Sequence, residues 1–506
     1  MPDKTLFNVE AMAVLDLAAG LSPRGVVRRV GDGIAWASGL EHVRFEELVA
    51  FDSGAFGLAY DLLPNITAVI LLSGSEKVHA GDGVAALGRL PSLPVGPALL
   101  GRVIDPLGDP LDDGPPPLAE KRLPLFRPAP EIIDRKSVDE ALWTGVPAID
   151  GAIPIGRGQR ELIIGDRNVG KTSLAIDLIH AQKAGDVICV YVAIGQPMSR
   201  VLAVRETLER AGALSNTVIV SADASSTPGM RYLAPYAGTS VAESFQEKRG
   251  HAMIIYDDLT KHADSYRELT LLMDRPPGRE AYPGDIFSIH AELLERAHAR
   301  RSESGGGSVT AFPVVETTDG DISSYIPTNL ISITDGQIYL DTARFDRDLR
   351  PAIDVGRSVS RIGSAAQPPI MRQVARNLRS TISRFESLEA LTRVGLDIDL
   401  ATKQTIDRGQ VLRQLLRRPR LAPRGIAEQV VVLTAVGESW LDDVKPADAR
   451  RVVDTLLALV RQTHPDLIAR LDTGQIPEGE WRDRLAVLTT QAKQRAPSGP
   501  SGARAS

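Results

Sequence analysis

Residues Gly165-Asp166-Arg167-Asn168-Val169-Gly170-Lys171-Thr172 spell GxxxxGKT, and no other part of the sequence constrains the fold as strongly. A loop of this kind works only between a strand and a helix. Its backbone N–H groups, bare of side chains at the glycines, close around phosphate oxygens where the helix begins. The lysine reaches the terminal phosphates, and the threonine hydroxyl holds Mg2+. The flanks supply this context. Leu162-Ile163-Ile164 reads as a short buried strand, Leu174, Ala175, Leu178 and Ile179 recur at helical spacing, and Gly185 is placed to end the helix. A chance match in a chain of this length has odds on the order of 1 in 100 before the flanks are counted. The chain is therefore expected to bind nucleotide.

The chain's 506 residues allow about three domains. A net charge of −6 gives no electrostatic grip on nucleic acid or acidic lipid. Cys189 is the single cysteine, which excludes an intrachain disulfide and fits a reducing compartment. Residues 1–20 mix acidic with apolar side chains and lack a basic-then-apolar signal pattern. No apolar run approaches the ~20 residues needed to cross a bilayer. Membership of a membrane-bound assembly stays open. The histidines show no metal-ligand spacing with cysteine or carboxylates.

Along the chain, residues 1–24 read as a short helix and a tail. Residues 25–88 read as short strands with turn punctuation: Val26 to Val30, then Gly31-Asp32-Gly33, then Ile34 to Ala37, and later Ala68 to Leu72 before Gly81-Asp82-Gly83. That spacing predicts a small β-barrel. From 89 to 367 apolar strands alternate with helical segments, as in a parallel α/β sheet. Val187 to Ile194 is an unbroken apolar run, suited to a strand buried on both faces. Ala252 to Tyr256 is another, ending in Asp257-Asp258. An aspartate at that strand end is where a nucleotide-bound Mg2+ sits, which makes Asp257 a metal-site candidate with Thr172. From 368 to 493 the chain reads as helical, with Met371, Val374, Leu378, Ile382, Phe385, Leu388 and Leu391 forming an amphipathic stripe. Residues 494–506 read as a disordered tail.

Barrel, nucleotide domain and helical bundle in that order, together with particular strings, resemble the alpha subunits of F-type ATP synthases. The strings are the phosphate loop itself, Tyr191-Val-Ala-Ile-Gly-Gln196, Ile255-Tyr-Asp-Asp-Leu259 and the segment from Arg275 to Asp285. Further on come Tyr325-Ile-Pro-Thr-Asn329, Ile331-Ser-Ile-Thr-Asp-Gly-Gln337 and the stretch from Pro351 to Gln367. The likeness runs from about residue 25 to 490. It implies a RecA-like nucleotide domain and a rotary assembly of three alpha and three beta subunits around a central gamma stalk. Peripheral-stalk subunits and a membrane sector complete the assembly, on the cytoplasmic face of a bacterial inner membrane. ATP synthesis or hydrolysis would be coupled there to H+ or Na+ transport. The segment before the barrel would meet the peripheral stalk, and the Arg275 to Asp285 loop would face the central stalk.

The resemblance also assigns roles. ATP or ADP with Mg2+ would lie against the loop and Ser173, against Gln196, against Arg350 and Pro351, and against Arg418 and Arg420. Arg361 would act in the partner's catalytic site, with Ser332 facing the same phosphates and Ser358 supporting the arginine's loop. Several positions depart from the usual alpha pattern. Asn168-Val169 stands for Gln-Thr, Pro197-Met198 for a basic pair, Arg357 for an apolar residue and Arg418-Pro419-Arg420 for Gln-Gly-Gln. These departures bear on affinity and base recognition, and on whether the complex is an alternate, sodium-coupled form. The other reading is a self-sufficient homo-hexameric ATPase of the secretion or RNA-translocating kind. Gln196 separates the two: a carboxylate there can polarise the attacking water, whereas an amide has no useful basicity.

Overall fold

The computed structural model describes residues 24–247, 249–392 and 399–496. The expected leading segment and most of the expected tail lie outside the described residues. The last helix, Trp481–Arg495, continues into the first two residues expected to belong to that tail.

Six strands close into a barrel: β1 Arg24–Gly31, β2 Ile34–Ser38, β3 Leu48–Phe51, β4 Phe56–Leu63, β5 Ile66–Ser73 and β6 Gly83–Ala86, in the order β1-β2-β5-β4-β3-β6 and back to β1. The strand alternation explains how the barrel attaches. Along β5, Val69 and Leu71 point into the barrel core with Val27, Val49 and Phe51. Their neighbours Ala68, Ile70 and Leu72 point the other way, into the core of the nucleotide domain. With a side-chain period of two, one strand thus belongs to two cores.

The central sheet runs in the order Val359–Ser360, Gly336–Leu340, Leu162–Asp166, Ser308–Thr317, His251–Asp257, Val187–Ile194, Thr217–Ala222, Val103–Ile104. Every neighbouring pair is parallel except the first, which is antiparallel. Val187–Ile194 lies in the interior of this sheet and is buried along its length except at Ile188. Helix Pro228–Gln246 lies across the sheet, and beneath it Arg296 is fully buried. Its guanidinium is paired with Glu243 and also donates to the Leu125 carbonyl and the Ser240 hydroxyl. A buried charge is tolerable only with its donors matched in this way.

The C-terminal part is helical from Pro369 to Arg495. The apolar stripe is not one helix: Pro369–Val374 ends at Ala375, and a new helix, Leu378–Thr392, starts after a turn in which Leu378 N–H donates to the Ala375 carbonyl. Leu378 and Ile382 share one core with Leu174 and Leu178 of the phosphate-loop helix. Among the described residues, no helix is long and apolar enough to cross a membrane.

Candidate functional site

The strand Leu162–Asp166 delivers the phosphate loop at its C-terminal end, and the helix Lys171–Ala181 leaves from it. That helix stops before Gly185, which lies in the turn that follows. The loop needs special backbone. Gly170 has φ 100° and Asn168 has φ 61°, and asparagine is among the few residues that accept the left-handed region. A side chain at Gly165 would meet the Leu340 carbonyl at 2.6 Å, so only glycine fits beside the neighbouring strand. Val169 is buried and anchors the loop.

Lys171 is buried, and its Nζ donates to the carbonyls of Gly165 at 2.7 Å and Asp166 at 2.6 Å. Burial lowers its pKa, against the pull of Glu316, Asp258, Asp257 and Asp166. Burial pushes the Asp166 carboxyl up, but hydrogen bonds from Thr317, Gly320 and Thr342 outweigh this and hold it below the ordinary carboxylate value. Arg167 is exposed and pairs with Glu316 at 2.9 Å. Ser173 follows in the first turn of the helix.

Thr172 Oγ1 donates to Asp257 Oδ2 at 2.7 Å, so the two metal-site candidates are in contact although 85 residues apart. Tyr191 donates to the same oxygen at 2.7 Å. Hydroxyl and carboxylate oxygens converging beside a phosphate loop form the hard donor set that Mg2+ takes, so these residues fit the ion. Asp258, next along, is pushed up to about 7 by burial; Lys261 opposes this, and Asp257 and Glu316 add to it. Gln196 is buried. Its Nε2 faces Asp257 and Asp258 at 3.3 to 3.5 Å, and Arg200 donates to its Oε1 at 3.1 Å. The amide thus turns its donors to this cluster, while its oxygen is taken by Arg200.

The base-site candidates separate. The Arg350 guanidinium lies 4.7 Å from the centroid of the Phe345 ring, and Arg350 contributes with Pro351 to one wall of an apolar cleft. Arg418 N–H donates to the Arg350 carbonyl, yet its side chain turns inward to the carbonyl of Gly145. Burial lowers the Arg418 pKa against the pull of Asp177 and Asp150. Its Nε and Nη2 have no partner among the described residues. Arg420 is exposed.

The Arg361 region lies at the other end of the sheet. Ser358 is fully buried; its hydroxyl donates to the Asp354 carbonyl at 2.6 Å and accepts from Tyr339 N–H at 3.0 Å, which fixes the approach to the arginine. Arg361 is exposed; its N–H donates to the Asp335 carbonyl at 2.8 Å, and its Nη2 to the Ile331 carbonyl at 3.3 Å. Ser332, beside Ile331, is exposed and donates back to the Thr328 carbonyl. Arg361 and Ser332 therefore share one surface. It is not the surface of the chain's own phosphate loop: Gly336 pairs with Ser360 at the start of the strands, while Leu340 pairs with Gly165 at their finish. Four residues of strand separate the two, about 13 Å.

Sequence reasoning missed several contributors. Tyr191, Thr317 and Thr342 hold the carboxylates from distant parts of the chain, and Phe345 lines the loop. The motif strings flagged Tyr191 without a role. The others become visible only when parallel strands are in register.

A family model described as ATP synthase alpha/beta family, nucleotide-binding domain, matches residues 145–360. A second, described as ATP synthase alpha/beta chain, C terminal domain, matches 367–492. The chain is 48% identical to the ATP synthase subunit alpha of Limosilactobacillus fermentum over 91% of its length and 90% of that protein. It is 46% identical to the subunit of the same name from Aquifex aeolicus over 97% of its length and 99% of that protein. Barrel, phosphate loop, helical domain and these likenesses agree, and the chain belongs to the family of F-type ATP synthase alpha subunits.

Proposed function

We propose that this subunit binds Mg-nucleotide without turning it over and supplies Arg361 to the catalytic site of an adjacent beta subunit. The carrying observation is the position of Arg361: exposed, beside Ser332, and about 13 Å of strand from the chain's own phosphate loop. An arginine so placed serves a neighbour rather than its own site. As a phosphoryl group transfers, charge gathers on its oxygens, and a planar guanidinium stabilises it with paired hydrogen bonds. Supplying that group in trans ties turnover to the relative position of two subunits, which a rotary device requires.

In the chain's own site, residues 165–173 would cradle phosphates, Lys171 turning from the loop carbonyls towards them. Mg2+ held at Thr172 and Asp257 would neutralise charge between the phosphates. Gln196 offers an amide, which has no useful basicity, where a carboxylate could polarise the attacking water. The remaining reading is of the assembly: a ring alternating with beta subunits around a gamma stalk, peripheral-stalk contacts, and H+ or Na+ transport in a membrane sector. The ring would sit peripherally on the cytoplasmic face. The working division is 25–88, 89–367 and 368–493.

The test is Arg361→Lys in the assembled complex. Lysine keeps the charge and loses the fork. Multisite turnover is expected to fall by roughly 10³-fold or more, with ring assembly and nucleotide binding to this subunit retained. Near-normal turnover in an assembled mutant ring rules the reading out.

A further inference from the structure

Directly before the phosphate-loop strand, two buried polar side chains lie under the arginine segment, and neither takes part in the site described above. Gln159 and Glu161 are both fully buried. Gln159 Oε1 accepts from Gly156 N–H at 2.8 Å. Its Nε2 donates to Glu161 Oε2 at 2.7 Å and to Ser360 Oγ at 3.2 Å, which uses both amide hydrogens. Ser360 in turn donates to the Pro154 carbonyl at 2.7 Å and accepts from Gly363 N–H at 3.1 Å. The backbone on either side of Arg361 is thus tied to one hydroxyl, and that hydroxyl is tied to Gln159.

We propose that Gln159, held in place by Glu161, is a positioning residue for Arg361 and acts through Ser360. The proposal rests on the reading of Arg361 as a group delivered to the partner's site. Burying an amide and a carboxyl costs free energy that an apolar pair of the same volume would not. Here the return is directional: an amide can fix a hydroxyl's position, which a methyl cannot. Glu161 suits the task. Its Oε2 packs against the strand that pairs with Val359–Ser360, since a side chain at Gly336 would come within 2.5 Å of it. Its Oε1 has no hydrogen-bond partner among the described residues. Burial drives its pKa well up; Gln159 opposes this, Asp335 adds to it, and Arg361 opposes it. The same short segment then runs through the strand Leu162–Asp166 into the phosphate loop, so the brace for the arginine and the chain's own nucleotide cradle lie on one continuous stretch of chain.

The experiment is a double-mutant cycle in the complex assembled with its catalytic partner. Gln159→Met keeps the length and removes the donors. Multisite turnover is expected to fall by ~10- to 100-fold, since small misplacements of reacting groups cost that much. KM for ATP and nucleotide binding to this subunit should hardly change, because ground-state binding is untouched. Added to Arg361→Lys, Gln159→Met should cost little more, because its effect passes through the arginine. Ser360→Ala tests the same contact from the outer side and serves if Gln159→Met does not assemble. Normal turnover in the assembled single variants overturns the proposal. So does a Gln159→Met loss of equal size with and without Arg361. Normal turnover in Arg361→Lys itself would instead remove the reading of Arg361 on which the proposal rests.

Discussion

At the scale of single residues, buried ionisable groups differ in how completely they are matched. Arg296 finds partners for its guanidinium and acts as a rivet. Asp150 is a middle case. It accepts from Thr144 N–H at 2.9 Å, from the Thr144 hydroxyl at 2.6 Å and from Gln429 Nε2 at 2.8 Å, yet burial still pushes its carboxyl up to about 6 from 3.8. The folded state therefore holds this proton more tightly than the unfolded chain does. The stability it contributes is complete below about pH 4 and is lost as pH rises through about 6. Against Asp150→Asn, which cannot titrate, the natural chain should lose roughly 3 kcal/mol between pH 4 and 7. Denaturant midpoints of both proteins at four pH values measure this; a difference that does not change with pH refutes it. The sequence could not single out Asp150, because nothing local separates a buried aspartate from a solvated one. Arg418 shows the same limit. Its place in the sequence suggested a hand on the base, and the structure turns its guanidinium to Gly145.

At the scale of elements, helix Pro228–Gln246 shows how packing overrules propensity. Thr227 caps it by accepting from Met230 N–H, and Pro228 opens its first turn. Gly238 lies inside it, facing Val192 of the buried strand Val187–Ile194. A β-carbon there would stand 2.3 Å from Val192 Cγ2, and Val192 is fully buried with nowhere to go. Alanine gains about 1 kcal/mol of helix propensity over glycine, whereas forced overpacking costs ~1–3 kcal/mol. We expect the second to win: Gly238→Ala should lower the midpoint of thermal unfolding, and a rise would show that the helix can lift off the sheet. Elements of this kind were legible in the sequence in proportion to their burial. Val187–Ile194 stands out because both its faces are covered, and the phosphate-loop strand because its motif marks its end. The Val359–Ser360 strand has two residues and no pattern of its own. The break at Ala375 was hidden because Leu378 keeps the apolar spacing across the turn.

At the scale of the whole molecule, the phosphate loop and Arg361 lie at opposite ends of the central sheet, and an amide, Gln196, faces the carboxylates beside the loop. Purified alone, it should bind ATP in a Mg2+-dependent way and show no steady-state hydrolysis. Base selectivity should be poor, because stacking on Phe345 and Arg350 suits any purine and Arg418 is turned away. Calorimetric titration with ATP and GTP, beside a phosphate-release assay, tests both points. Sustained turnover would restore the self-sufficient ATPase, and a strong preference for ATP would mean that a base-reading group has gone unseen. Domain order and family were legible because the identifying strings lie where backbone and phosphate meet, and such positions admit few residues. The separation of the phosphate loop and Arg361 to opposite ends of the sheet was not, since it depends on strand direction and register.

Among the described residues the main path of the central sheet ends in strands of two residues, Val103–Ile104 and Val359–Ser360, a side branch through Ala299–Arg300 ends in a third, Arg135–Lys136, and the barrel is closed. Unpaired strand edges are where newly made proteins stick to one another. A subunit of a larger complex must wait in dilute company between synthesis and assembly. With so little open backbone at the margins of its main sheet, it has little there to template a fibre, and contacts made at those margins are left to side chains and loops.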